Sequence, residues 1–253
     1  MNYFTNSRRD FVKKAALGTL ASVGVPAIVS AAATASKEKK VTLEKNDVVL
    51  FQGDSITDWG RKKDEAAPNT FGTFGGGYAF VAAAGLLSQY PQKSLTVYNK
   101  GISGNKVYQL ADRWDADCLN LKPNVLSILI GVNDFWHTLN GNYNGTIEKY
   151  RTDYKALLDR TKQALPDVKL IIGEPFAVKN VKAVTDKWYP AFDEYRAAAK
   201  EIATQYNAVF IPYQSIFDKA LEMADGKYWT LDGVHPSPAG AGLMAHAWLE
   251  TVK

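Results

Sequence analysis

Five short runs of mostly branched apolar residues, at 47–52, 95–99, 125–130, 169–173 and 208–211, alternate with longer segments of helical period at 77–90, 107–119, 146–165 and 188–206. This alternation constrains the fold more than any other feature. A continuous apolar run is a strand covered on both faces, and parallel neighbours need a helix-length connection between them. The expected architecture is a three-layer α/β/α sandwich around a parallel sheet. Breakers stand where that reading needs them: Pro91 and Pro166 follow helical segments, Pro123 precedes a strand, and Pro236 and Pro238 open a last helix over 238–252. No internal repeat or linker divides residues 47–253, which are read as one domain.

Open α/β sheets bind ligands at the carboxyl ends of their strands, so the residues just after each run carry the functional reading. Gly53-Asp54-Ser55 ends the first run, Asn99-Lys100-Gly101-Ile102-Ser103-Gly104 the second and Gly131-Val132-Asn133-Asp134 the third, while Asp232-Gly233-Val234-His235 precedes the last helix. These blocks supply a hydroxyl nucleophile in Ser55, an imidazole base in His235 and a carboxylate, Asp232, to orient it. Three positions apart, Asp232 and His235 can share one turn, the carboxylate accepting from Nδ1 and leaving Nε2 for the Ser55 hydroxyl.

Acyl transfer also needs donors aimed at the oxygen that becomes negative. The backbone N–H of Ser55, the N–H of Gly104 and the side-chain amide of Asn133 form an oxyanion-hole set. Glycine at 104 leaves the backbone open to a ligand. Asp54 points away from Ser55 on an extended strand and is read as a turn-fixing carboxylate, as is Asp134 beside Asn133.

Gly-Asp-Ser-Ile, Gly-Ile-Ser-Gly, Gly-Val-Asn-Asp and Asp-Gly-Val-His-Pro, in that order from about 48 to 249, resemble the blocks of the GDSL or SGNH hydrolase family. The resemblance implies a flavodoxin-like fold with a five-stranded parallel sheet. It makes Ser55, Gly104, Asn133 and His235 the four name-giving residues, with Asp232 completing a triad. Ile56 stands where the older family name has leucine, one apolar residue for another. The Gly-x-Ser-x-Gly elbow of the α/β-hydrolases is missing around Ser55.

Residues 1–35 differ in kind from the rest. Ser7-Arg8-Arg9-Asp10-Phe11-Val12-Lys13 precedes a charge-free stretch at 15–35 that is rich in alanine, broken by Pro26 and closed by Ala33-Thr34-Ala35. A basic start, an apolar middle and a small-residue end describe an export signal, and the paired arginines resemble the twin-arginine type. The expectation is a periplasmic or extracellular protein, carried by the twin-arginine export machinery, with no stable membrane anchor and a short tether at 36–46. The signal holds four basic residues (Arg8, Arg9, Lys13, Lys14) and one acidic residue (Asp10), against 30 and 26 in the whole chain. The remainder is therefore nearly neutral, and nothing points to nucleic acid. Cys118 is the single cysteine, which excludes an internal disulfide and is read as a buried apolar residue.

The glycine-rich loop at 69–78 lacks the Gly-Lys-Ser/Thr and the spacing of phosphate loops and is read as a wall of the cleft beside Ser55. His137 can line the cleft and His246 lies mid-helix. Neither has partners at metal-ligand spacing, so no metal or other cofactor is assigned. Glu174 either supports a loop or touches substrate. Aromatics near these blocks, Trp59, Trp136 and Tyr228 among them, suit sugar faces and ordinary cores alike. The expected function is a serine esterase that releases short acyl groups, chiefly acetyl, from carbohydrates or related small molecules through an acyl-enzyme. The alternatives are a lipase, lysophospholipase or thioesterase, which acyl-length dependence would separate, and a non-catalytic carbohydrate-binding protein, which covalent labelling of Ser55 would exclude.

Overall fold

A computed structural model describes residues 39–253 and Gly24. Apart from Gly24, the signal expected at 1–35 lies outside the described residues. Strands β1 (Val48–Gly53), β2 (Thr96–Asn99), β3 (Val125–Leu129), β4 (Lys169–Gly173) and β5 (Val209–Ile211) form one parallel sheet in the order β2-β1-β3-β4-β5. These are the five apolar runs of the sequence, displaced by no more than one residue at any end. Val49 pairs with Val97 on one side and with Val125 on the other, so β1 is where the chain reverses its direction of winding. Such a reversal opens a crevice at the carboxyl ends of β1 and β3.

Helices cover both faces. Tyr78–Gln89 and Pro238–Leu249 pack on the face that carries Phe51 and Ser127. The Trp248 ring lies 4.8 Å from that of Phe51, and its indole N–H donates to Ser127 Oγ at 2.9 Å. Ile147–Ala164 and Ala191–Gln205 cover the opposite face, with Tyr150, Tyr154 and Leu158 turned inward. Every residue of β3 is buried, as a strand covered from both sides requires. Cys118 is buried too, and desolvation pushes its thiol up to about 12.

Four segments depart from the sequence reading. From Val41 onward, the segment expected as a tether belongs to the domain. The Val41 N–H donates to the Thr251 carbonyl at 2.7 Å, the Lys253 N–H returns to Val41 at 3.0 Å, and the Leu43 N–H donates to Lys253 at 2.9 Å. Val41 and Leu43 are buried, but two alternating apolar residues between lysines give too short a strand signal to stand out. The helix expected at 107–119 splits into Val107–Asp112 and Trp114–Asp117. At the break Arg113 turns inward, donating from Nε to Asn105 Oδ1 at 2.9 Å and from Nη1 to the Lys100 carbonyl at 2.8 Å. Helices Val132–Leu139 and Tyr213–Ala220, absent from the sequence reading, start just past β3 and β5. Each is little more than two turns long, over which a helical period is hard to tell from alternation.

Candidate active site

β1 delivers Ser55 to the carboxyl edge of the sheet as the first residue of a one-turn helix, Ser55–Asp58. Asp54 caps that helix, its Oδ1 accepting from the Ile56 N–H at 3.0 Å. Gly53 precedes it because β1 and β3 approach closely here. A Cβ at Gly53 would collide with the Leu129 carbonyl oxygen and the Thr57 hydroxyl.

The Ser55 hydroxyl lies 2.8 Å from His235 Nε2, across 180 positions of sequence. His235 Nδ1 lies 2.7 Å from Asp232 Oδ2, and Asp232 Oδ1 accepts the N–H groups of Val234 at 2.9 Å and His235 at 2.8 Å. The turn that carries both residues is closed by the Leu231 N–H donating to the His235 carbonyl at 2.8 Å and by pairing of Thr230 with Pro236. Residues 178–184 brace it from outside. The Val178 N–H donates to the Gly233 carbonyl at 2.7 Å, and the Ala183 N–H to that of Asp232 at 3.0 Å.

The charges respond to this arrangement. Partial burial pushes the Asp232 carboxyl up, but hydrogen bonds from the His235 ring and from the His235 and Val234 N–H groups outweigh it and hold the carboxyl at about 2. The same ring bond raises His235 above the ordinary imidazole value against the effect of desolvation, assisted by the charges of Asp232 and Asp54. Asp54 and Asp134 are both buried, and each leaves its Oδ2 without a partner. Burial lifts each to about 7. Asp134 Oδ1 accepts the Val107 N–H at 3.2 Å, tying the segment after β3 to the one after β2. Both carboxyls thus fix loops, as the sequence suggested.

The three donors stand at the same edge. The N–H groups of Ser55 and Gly104 have no protein acceptor among the described residues. Gly104 adopts φ +80°, a left-handed conformation that favours glycine, and a Cβ there would project into open space. Asn133, in the first turn of Val132–Leu139, is buried and donates from Nδ2 to the Asn105 carbonyl at 3.3 Å.

Residues that the sequence reading passed over hold these loops together. Asp58 accepts from the Ser103 N–H at 2.9 Å and the Ser103 hydroxyl at 2.8 Å, and pairs with Lys63 at 2.9 Å. It clamps the loop after β2 to the turn that carries Ser55. Asn99 donates to the carbonyls of Thr57 at 2.6 Å and Phe74 at 2.7 Å. Arg61 Nε donates to the Gly101 carbonyl at 2.7 Å. An acidic and a basic residue three apart, just after the nucleophile block, were the available signal.

Other candidates resolve individually. Glu174 supports loops: it accepts from Arg196 Nε and from the Gln214 N–H, each at 3.1 Å. The 69–78 segment contributes the helix Phe71–Phe74 and places Gly76 and Gly77 against the Trp59 indole. Trp59 and Trp136 lie 5.9 and 6.3 Å from the His235 ring. Tyr228 is exposed, and His137 and His246 are half-buried. Among the described residues no three histidine, cysteine or acidic side chains are grouped to hold a metal ion.

The profile of the GDSL-like lipase/acylhydrolase family matches residues 51–243. An acetylxylan esterase of Geobacillus stearothermophilus is 35% identical over 206 residues, covering 81% of this chain and 93% of its own. The crystal structure of an acetylxylan esterase from Geobacillus stearothermophilus superposes with a TM-score of 0.74 at 32% identity, over 83% of this chain and 96% of that one. A crystal structure described as a GDSL-like lipase from Parabacteroides merdae superposes with a TM-score of 0.83 at 49% identity, over 84% of this chain and 98% of that one.

Proposed function

The chain belongs to the GDSL-like lipase/acylhydrolase family, and from that premise we propose that it is a serine esterase removing short acyl groups, chiefly acetyl, from carbohydrates. It is a carboxylic ester hydrolase. The observation that carries the finer reading is the chain of hydrogen bonds from the Ser55 hydroxyl through His235 to Asp232. The acetyl-sugar substrate rests on the similarity to the acetylxylan esterase.

In this reading Ser55 Oγ attacks the ester carbonyl while His235 Nε2 takes its proton. The N–H groups of Ser55 and Gly104 and the Asn133 amide receive the oxygen that turns negative. His235 then returns the proton to the departing sugar hydroxyl, and water repeats the cycle on the acyl-enzyme. Asp232 keeps Nδ1 protonated throughout, so Nε2 is the basic nitrogen.

Acyl-length dependence tests the proposal. Against p-nitrophenyl esters and acetylated xylo-oligosaccharides, kcat/KM is expected to be greatest for acetate and to fall steeply for longer chains. An organophosphonate is expected to label the wild type and not Ser55→Ala. Preference for long acyl chains would overturn the substrate, and equal labelling of the variant would overturn the nucleophile.

We also propose that residues 1–35 direct export through the twin-arginine route, on the strength of Arg8-Arg9 before a charge-free stretch. In cells producing the full chain, esterase activity is expected outside the cytoplasm and is expected to be retained inside when both arginines become lysine. Cytoplasmic activity in both cases would refute it.

A further inference from the structure

Beside the three donors stands a cation that the reaction above does not use. Lys106 follows Asn105, whose carbonyl receives the Asn133 amide, and it precedes the helix Val107–Asp112. The residue is only 5% exposed. Its ammonium nevertheless has no hydrogen-bond acceptor and no ion-pair partner among the described residues, and it is not sealed from solvent. The stem is buried and the head reaches the surface.

What surrounds that head is an aromatic platform. The ammonium stands 5.0 Å over the Tyr143 ring, and Tyr143 stacks on Tyr108 at 5.8 Å. Lys149, over the Tyr108 ring at 5.8 Å, differs because it is engaged by Asp153 at 2.8 Å. The one carboxyl acting on Lys106 is Asp134, which lies beyond ion-pair distance, is buried, and already accepts from Val107. His137 lies one turn after Asn133 on the same helix, and burial, reinforced by the charge of Lys106, lowers its pKa. Trp136, beside His137, ties this cluster to the His235 ring at 6.3 Å. A lysine held this way, two residues after Gly104 and directly after the Asn105 carbonyl that receives the Asn133 amide, is placed to meet an anion brought by the substrate.

We propose that Lys106 is a specificity-determining residue whose ammonium receives a carboxylate carried by the sugar, so that acetyl esters of uronic-acid carbohydrates are favoured over their neutral counterparts. The proposal rests on the esterase reading and adds the class of carbohydrate. Tyr143 and Tyr108 hold the ammonium in place.

The test compares kcat/KM for an acetylated methyl glucuronoside with that for the acetylated methyl glucoside. Wild type is expected to favour the acid, and the preference is expected to shrink with added salt. Lys106→Met keeps an apolar stem over the Tyr143 ring and is expected to lower the ratio about 10-fold, the worth of one hydrogen bond to a charged group. Lys106→Arg is expected to retain most of the preference. Because the readout is a ratio, a smaller folded fraction in a variant leaves it unchanged. An equal ratio in wild type and Lys106→Met, or a wild-type preference for the neutral ester, overturns the proposal and leaves the esterase reading intact. Failure of wild type on both esters overturns the two together.

Discussion

Asp232 holds His235 at two points, the ring through Oδ2 at 2.7 Å and the backbone N–H through Oδ1 at 2.8 Å. The double hold fixes both where the imidazole stands and which of its nitrogens carries the proton.

Asp232→Asn separates those two roles. The amide oxygen still accepts from the backbone, while an amide NH₂ now meets Nδ1 and forces the imidazole proton onto Nε2. That nitrogen then cannot take the proton of Ser55. A loss in kcat on the order of 10⁴ is expected, the scale seen when a serine-hydrolase histidine is held in the wrong tautomer. Steady-state kinetics on p-nitrophenyl acetate provide the check, and a variant within tenfold of wild type would show that the carboxylate does not set the tautomer.

The pH profile follows from the same contact. His235 must be neutral to act as a base, and Asp232 raises its pKa. Activity is therefore lost as pH falls through a value above the ordinary imidazole figure of ~6.5 and is fully present above it. Asp232 itself is held at about 2 and stays ionised across that range. Asp232→Ala removes the charge that favours the imidazolium, so the residual kcat/KM limb is expected to move to lower pH. Profiles over roughly pH 5–9, spanning that imidazole value, decide it. An unmoved limb would assign the titration to another group.

Leu43 gives a prediction for stability. It is fully buried, and its backbone joins the last residue of the domain. Leu43→Ala is expected to cost about 2–5 kcal/mol in denaturant unfolding, the usual range for emptying a packed leucine site. Turnover of the folded protein is expected to stay unchanged, since this pairing lies at the amino ends of the strands. A loss below about 1 kcal/mol, well under that range, would mean that the segment is only loosely docked.

Much of the architecture was legible because burial on both faces leaves an unmistakable mark: the runs at 125–130 and 169–173 are mostly apolar, and they are the central strand β3 and its neighbour β4. The meeting of Ser55, His235 and Asp232 was legible for a different reason, since their residue types admit few other uses in that order. The clamps were not. Asp58 and Arg61 are ordinary charged residues in sequence, and only folding brings Ser103 and Gly101 to them. Lys106 was equally silent, because its significance lies in the carboxylate it lacks. Short helices such as Val132–Leu139 and the edge pairing of Val41 escaped because their signals span too few residues to repeat.

That edge pairing also settles which way the enzyme faces when it is held. Residues 41–43 and 251–253 are stitched together at the pole where the strands begin, while Ser55 opens at the pole where they end. A support or a partner joined at residues 41–43 or 251–253 would sit behind the mouth where Ser55 opens and leave it pointing outward.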